Sequence, residues 1–184
     1  MNSGARLEQL AEIEAAIRAE LSAATRQPAH EWRVAVLATT DGALADARSV
    51  VLREVADDAA TLALYTDARS AKVAQIRAHP EGTLVLWSRS LGWQLRLRVT
   101  LDIETEGLLV SSAWAQLKMT PAAQDYLSPL PPGSALGQAL PERDSRGHFA
   151  IVSARVQAID WLELHADGHR RARFDAQGAR WLTP

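Results

Sequence analysis

Gln94 to Ile103 reads QLRLRVTLDI, with Leu95, Leu97, Val99, Leu101 and Ile103 at every second position. That period puts all five on one face of an extended strand. Thr83 to Trp87 supplies an antiparallel neighbour across Ser88 to Gly92. Val34 to Thr40 forms a short apolar strand before the turn signal Asp41-Gly42. Ala47 to Val55 and Thr61 to Thr66 make a second hairpin around Asp57-Asp58, and Phe149 to Val156, Ala158 to His165 and Arg170 to Phe174 read as three further strands. Leu7, Leu10, Ile13, Ile17 and Leu21 recur at helical spacing, which predicts an amphipathic helix over residues 5–24. Residues 105–127 suggest two short helices around Thr120-Pro121. Many short antiparallel strands with few helices predict an α+β fold built on a closed or nearly closed β-barrel.

The chain is 184 residues long and 47% hydrophobic, which suits a single domain over 1–184. Twenty Lys and Arg against 22 Asp and Glu give a net charge of −2, so no global basic field recruits nucleic acid or an anionic membrane. The lack of cysteine excludes disulfides, thiolate metal sites and a Cys nucleophile. With no apolar run of membrane-spanning length, a soluble, cytoplasmic protein is expected. No GxGxxG, GxxxxGK[ST], GxSxG or HExxH motif is present. His165 and His169 flank Asp167-Gly168 and read either as exposed hairpin residues or as part of a metal site needing further ligands; the first reading is adopted, with no metal expected.

What remains is YTDARSAKVAQIRAHP, Tyr65 to Pro80, where a strand runs into a helix. Asp67 or Ser70 can cap that helix, and its first turn carries Lys72 rather than an acid. Backbone N–H groups, hydroxyls and a lysine together suit a phosphate; a solvated Lys72 at an ordinary helix start is the competing reading. Arg48 and Arg53 flank SVVL on the neighbouring strand. Being five apart, they point to opposite faces of a regular strand, so one at most turns inward unless a bulge intervenes.

The order Arg48-Ser-Val-Val-Leu-Arg53, Tyr65-Thr66, Ser70 and Lys72, Trp87 and Gln94, then Trp161, Arg173-Phe174 and Trp181-Leu182-Thr183-Pro184 resembles the pyridoxamine 5′-phosphate oxidase family. The resemblance covers roughly residues 30–184. It implies an FMN-binding split barrel that works as a homodimer with the flavin at the subunit interface. By the same resemblance, Arg48, Val50, Val51, Leu52, Arg53, Tyr65, Thr66, Ser70, Lys72 and Gln94 contact FMN. Trp161 and Arg173 join them from the C-terminal hairpin of the partner. Tyr126, Ser134, His169 and Arg171 are the implied substrate-binding residues. Six Trp against two Phe also suit an interface, although a core could absorb them equally well.

The chain departs from the family pattern at four places. Ala71 and Leu130 stand where arginines are expected, Arg53 replaces a lysine, and His169-Arg170-Arg171 replaces Arg-x-His. The resemblance therefore favours a divergent FMN flavoprotein acting as an oxidoreductase on an unidentified small substrate. A flavin- or heme-like-ligand carrier without turnover is one alternative, and a true pyridoxamine or pyridoxine 5′-phosphate oxidase is the other.

Overall fold

The structure is a computed structural model and describes residues 6–56, 59–135 and 146–184. Helix α1 (Leu10–Arg26) is followed by a 3-10 turn at Glu31–Arg33 and strands β1 (Val34–Thr40), β2 (Ala45–Val55) and β3 (Thr61–Asp67). Then come α2 (Ala71–Ala78), β4 (Glu81–Ser88), β5 (Trp93–Glu104) and α3 (Leu108–Leu117). After 3-10 helices at Pro121–Tyr126 and Arg146–His148, the chain ends in β6 (Phe149–Glu163), β7 (Arg170–Asp175) and β8 (Gly178–Leu182).

All strand pairings are antiparallel, in the order β3-β2-β1-β4-β5-β6-β7-β8, and β3 also pairs with β6. Strands β1 to β6 therefore close into a barrel, and β7 and β8 extend the sheet beyond it. The alternation in β5 has the expected result: Leu95, Leu97, Val99 and Leu101 are buried, whereas Arg96 and Arg98 face outward. Leu37, Leu52, Leu62, Leu64, Leu84 and Leu86 complete the interior. On α1 the buried stripe Ile13, Ile17, Leu21 and Ala24 packs against the same core. A second, smaller core lies outside the barrel wall, where Val110, Ala113 and Leu117 of α3 cover Phe149 and Ile151 of β6.

Three expectations change. The segments 149–156 and 158–165 are one strand, β6, because Gln157 is absorbed as a bulge: Arg98 pairs with Ala158 and Val99 with Val156. Gly178–Leu182 form β8 against β7, where only Trp181-Leu182-Thr183-Pro184 was expected, as a terminal motif. Helix α1 begins at Leu10, where the Gln9 N–H donates to the Glu12 carboxylate, and it runs on to Arg26. No helix among the described residues is long and apolar enough to cross a membrane.

The β4–β5 turn is tied to the Glu31–Arg33 segment by one carboxylate. Glu31 accepts from the Ser88 hydroxyl and from the Ser90 hydroxyl and N–H, at 2.5, 2.6 and 3.1 Å. These bonds hold its pKa down at about 2, from 4.5. A depressed carboxylate pKa contributes stability above the unfolded value that is lost as pH falls toward the folded one. Thermal unfolding between pH 5 and 2 should therefore show an acid-sensitive limb that Glu31→Gln flattens. An unchanged limb in that variant would assign it to other carboxylates.

Candidate functional site

Pairing between β2 and β3 stops at Leu52 and Leu64. Beyond that point Arg48 to Val51 and Tyr65 to Thr66 remain paired on their far sides, to β1 and β6, but not to each other. The barrel wall is thus split next to α2, whose N-cap is Ser70. The Ser70 hydroxyl does not cap the helix. It lies 3.2 Å from the Thr66 hydroxyl, and Lys72 Nζ donates to both at 3.3 and 3.1 Å.

Lys72 thus contacts hydroxyls and no carboxylate among the described residues. Its pKa is lowered, first by burial and then by the neighbouring charge of Arg48. Arg48 sits on the inner face, paired with Leu37. It donates to the Thr39 hydroxyl at 2.6 Å, to Gln75 Oε1 at 3.0 Å and to Asp46. Thr39, Thr66 and Ser70 are all buried.

Two partly buried cations, three buried hydroxyls and a helix start without a side-chain cap form a donor-rich, anion-seeking set. A phosphate monoester fits Lys72 and the Thr66 and Ser70 hydroxyls chemically and relieves the repulsion between Lys72 and Arg48, while the Thr39 hydroxyl and Arg48 already donate to Gln75 and, for Arg48, to Asp46. Thr39 and Gln75 were not foreseen as members. Gln75 lies three residues after Lys72, on the same helix face, and that spacing was the available signal. Nothing in the sequence paired Thr39 with Arg48.

The other expected residues fall into distinct places. Leu52 is wholly buried, Val50 packs on the barrel core, and Val51 is half-buried on the outer face opposite Val34. Gln94 is half-buried on the outer face, between Trp87 and Leu162. Arg173 also faces outward, pairs with Asp175 at 2.7 Å, and lines a small cleft with Thr83, Arg96, Arg98 and Asp160. The Trp161 side chain is fully buried within its own chain, edge-on to Trp93 and near Trp181.

Arg53 is the extra residue in a β2 bulge between Leu52 and Glu54. It turns outward, opposite to Arg48, so only one of the two faces in despite the bulge. Its guanidinium lies over the Tyr65 ring, 5.5 Å from the centroid, and Nη2 is 3.5 Å from the Tyr126 hydroxyl.

The expected substrate set does not converge within one chain. Tyr126 packs on Phe149 at the start of β6, and Arg171 pairs with Leu162 near its end. Along the strand that separation is roughly 40 Å. Ser134 is exposed in the loop before the undescribed segment. Arg171 donates twice to Asp160, at 2.7 and 3.0 Å, and lines a cleft with Glu8, His169, Arg170, Trp181 and Leu182. His169 Nδ1 accepts from the His165 N–H at 3.2 Å. Among the described residues no three acidic or histidine side chains gather as a metal site.

Arg69, next to Ser70, is engaged by an acid and a loop. It binds both oxygens of buried Asp67 at 3.0 and 2.7 Å and the carbonyls of Ser128, Pro129 and Leu130 at 2.8–3.4 Å. Burial pushes the Asp67 carboxyl up, and the Arg69 bonds outweigh it, so the pKa is lowered.

A model of the pyridoxamine 5′-phosphate oxidase FMN-binding domain matches residues 10–105. A pyridoxine/pyridoxamine 5′-phosphate oxidase of Caulobacter vibrioides is 29% identical over 151 residues, 75% of this chain and 67% of that protein. Among solved structures, a pyridoxamine 5′-phosphate oxidase-related, FMN-binding protein from Nostoc punctiforme has a TM-score of 0.74 at 22% identity, covering 92% of this chain and 96% of the other. PhzG from Burkholderia lata, solved with tetrahydrophenazine-1-carboxylic acid, has a TM-score of 0.77 at 16% identity over the whole of both chains. These two likenesses are of fold, and the barrel is the split barrel of FMN-binding proteins. With the domain model spanning over half of its residues, the chain belongs to the pyridoxamine 5′-phosphate oxidase FMN-binding family.

Proposed function

We propose that this protein is a homodimeric FMN-dependent oxidoreductase acting on a small organic substrate. The observation that carries the reading is the cluster of Lys72, Arg48, Thr39, Thr66 and Ser70 beside the split between β2 and β3. When bound, FMN supplies the hydride and oxygen chemistry. Lys72 and Arg48 hold its phosphate, with the α2 N–H groups adding neutral donors. The β3-facing edge of Val50 and Val51 and the β2-facing edge of Tyr65 and Thr66 offer backbone donors and acceptors along the split. Gln94 contributes an amide that can both donate and accept.

Homodimerisation draws support from the outer sheet face, where Val34, Val36 and Trp87 are exposed together at 53, 41 and 44%. It also accounts for the separation of Tyr126 from His169 and Arg171, since a second copy could bring one set to the other.

Purified protein incubated with FMN should turn yellow, and its melting temperature should rise with FMN concentration. The bound flavin should be reduced by a nicotinamide donor and reoxidised in air. A protein that stays colourless, with no thermal shift, would remove the flavoprotein reading. A bound flavin that is never reduced would leave a carrier.

A further inference from the structure

Asp46 lies two residues before Arg48 on β2 and opposite Thr39 of β1, so all three share the inner face of the sheet. One of its oxygens, Oδ2, accepts from Arg48 Nη2 at 2.5 Å and from Gln75 Nε2 at 3.3 Å. The Gln75 bond first, and the Arg48 bond second, hold the Asp46 carboxyl below its ordinary pKa. Its charge also reaches Lys72: burial and then Arg48 lower the Lys72 pKa, and Asp67 and Asp46 oppose them.

Arg48 is held in place without this acid. Nη1 donates to the Leu37 carbonyl at 3.3 Å and to the Thr39 hydroxyl at 2.6 Å, and Nη2 also donates to Gln75 Oε1 at 3.0 Å. The Thr39 hydroxyl in turn fixes Gln75 Oε1 at 2.6 Å. These partners belong to the barrel wall and α2, whereas the Asp46 side chain is 50% exposed against 19% for Arg48. The carboxylate therefore covers the solvent side of the guanidinium, from which an anion arrives.

We infer that Asp46 is a built-in competitor for the anion of the Lys72 cluster: its carboxylate occupies the Arg48 and Gln75 donors in the free protein, and a phosphate engages both cations only by displacing it. An anionic oxygen shared between a guanidinium and an amide stands where a phosphate oxygen would. The phosphate wins the exchange because it carries a second charge and further acceptors that reach Lys72, and because the half-exposed carboxylate turns into water. Against that stand the broken Arg48 pair and the repulsion between the displaced carboxylate and the bound phosphate. The site is thereby set to a lower affinity than its donors allow. This deepens the flavoprotein reading by naming what regulates its cofactor affinity, and it rests on that reading for calling the anion FMN.

The test titrates FMN and riboflavin by fluorescence at pH 8 into the unaltered protein, Asp46→Asn and Asp46→Ala. Both variants should bind FMN about threefold to tenfold more tightly, with riboflavin unchanged. Unchanged or weaker FMN binding in a folded variant would overturn the inference, because losing a carboxylate that only orients Arg48 loosens the phosphate. An equal gain for riboflavin would overturn it as well, since the effect would not then pass through the phosphate. A second readout uses the unaltered chain and needs no variant to fold. Followed by carboxyl 13C NMR, the Asp46 pKa should rise on adding FMN, as the carboxylate loses both donors and gains a phosphate neighbour. A pKa that stays in place with FMN bound would mean that Asp46 is not displaced. Should the protein take up no FMN, inorganic phosphate takes its place in the NMR titration and in thermal unfolding. Greater stabilisation by phosphate in Asp46→Asn than in the unaltered protein would then sustain the competitor while the flavin reading fell, and no response to phosphate in either would overturn both.

Discussion

Replacing Lys72 with Met should weaken FMN binding by roughly ten- to a hundredfold, while riboflavin, which lacks the phosphate, should bind equally well to both proteins. A charge-assisted hydrogen bond is worth about 1.5–3 kcal/mol, and each 1.4 kcal/mol is about tenfold in affinity. Lys72 is a strong candidate for the upper part of that range because it is partly buried and spends its donors on the Thr66 and Ser70 hydroxyls rather than on a carboxylate. Among the described residues Lys72 has no ion pair to break before phosphate binds, whereas Arg48 is paired with Asp46.

Its lowered pKa adds a pH signature. Burial and Arg48 favour the neutral amine in the free protein, so FMN affinity should begin to fall, as pH rises, below the range in which an ordinary lysine deprotonates. Binding tightens again on acidification, as protonated Lys72 returns. Ala71→Arg, at the exposed first position of α2, should move affinity the other way. Fluorescence titration of FMN and riboflavin against the three proteins reads all of this. Equal losses for both ligands in Lys72→Met would mean that Lys72 supports the fold rather than the phosphate.

Trp161→Ala should destabilise the protein by about 3–5 kcal/mol, the range for emptying a large aromatic from a packed core. For a chain of this size that is a drop of roughly 6–20 °C in melting temperature. The side chain is wholly enclosed, edge-on to Trp93 at 5.3 Å with Arg170 over its ring at 5.7 Å. Trp161→Phe should cost much less. The indole Nε1 is buried without a hydrogen-bond partner, and removing an unsatisfied donor offsets part of the lost packing. Differential scanning calorimetry with parallel FMN titration separates a core role from a cofactor role. If Trp161→Phe kept full stability but lost FMN, Trp161 would act at the flavin site.

Much of the barrel was legible because its signals are local. The alternation from Leu95 to Ile103, the Asp41-Gly42 turn and the helical spacing from Leu7 to Leu21 each declare an element within a few residues. Gly42 has a φ of +94°, and a Cβ there would meet His79 at 2.9 Å, so the turn signal also marks a close packing contact. The β6 bulge escaped notice because Gln157 looked like an ordinary break between two strands. Only the register against β5 shows that the strand continues through it.

The candidate site divides in the same way. Residue types and their order assembled Ser70 and Lys72, because a strand running into a helix has few ways to place its first-turn donors, and the family resemblance added Arg48 from the neighbouring strand. Tertiary pairing decided the rest. The bulge at Arg53 sent that guanidinium to the outer aromatic face, and the length of β6 put Tyr126 and Arg171 at opposite ends of one strand. Asp67 and the 128–130 loop carbonyls engaged Arg69, two residues before Ala71. Periodicity determines which way a side chain points relative to its neighbours in sequence. Which partner claims its charge depends on segments dozens of residues away, and those meet only when the barrel closes.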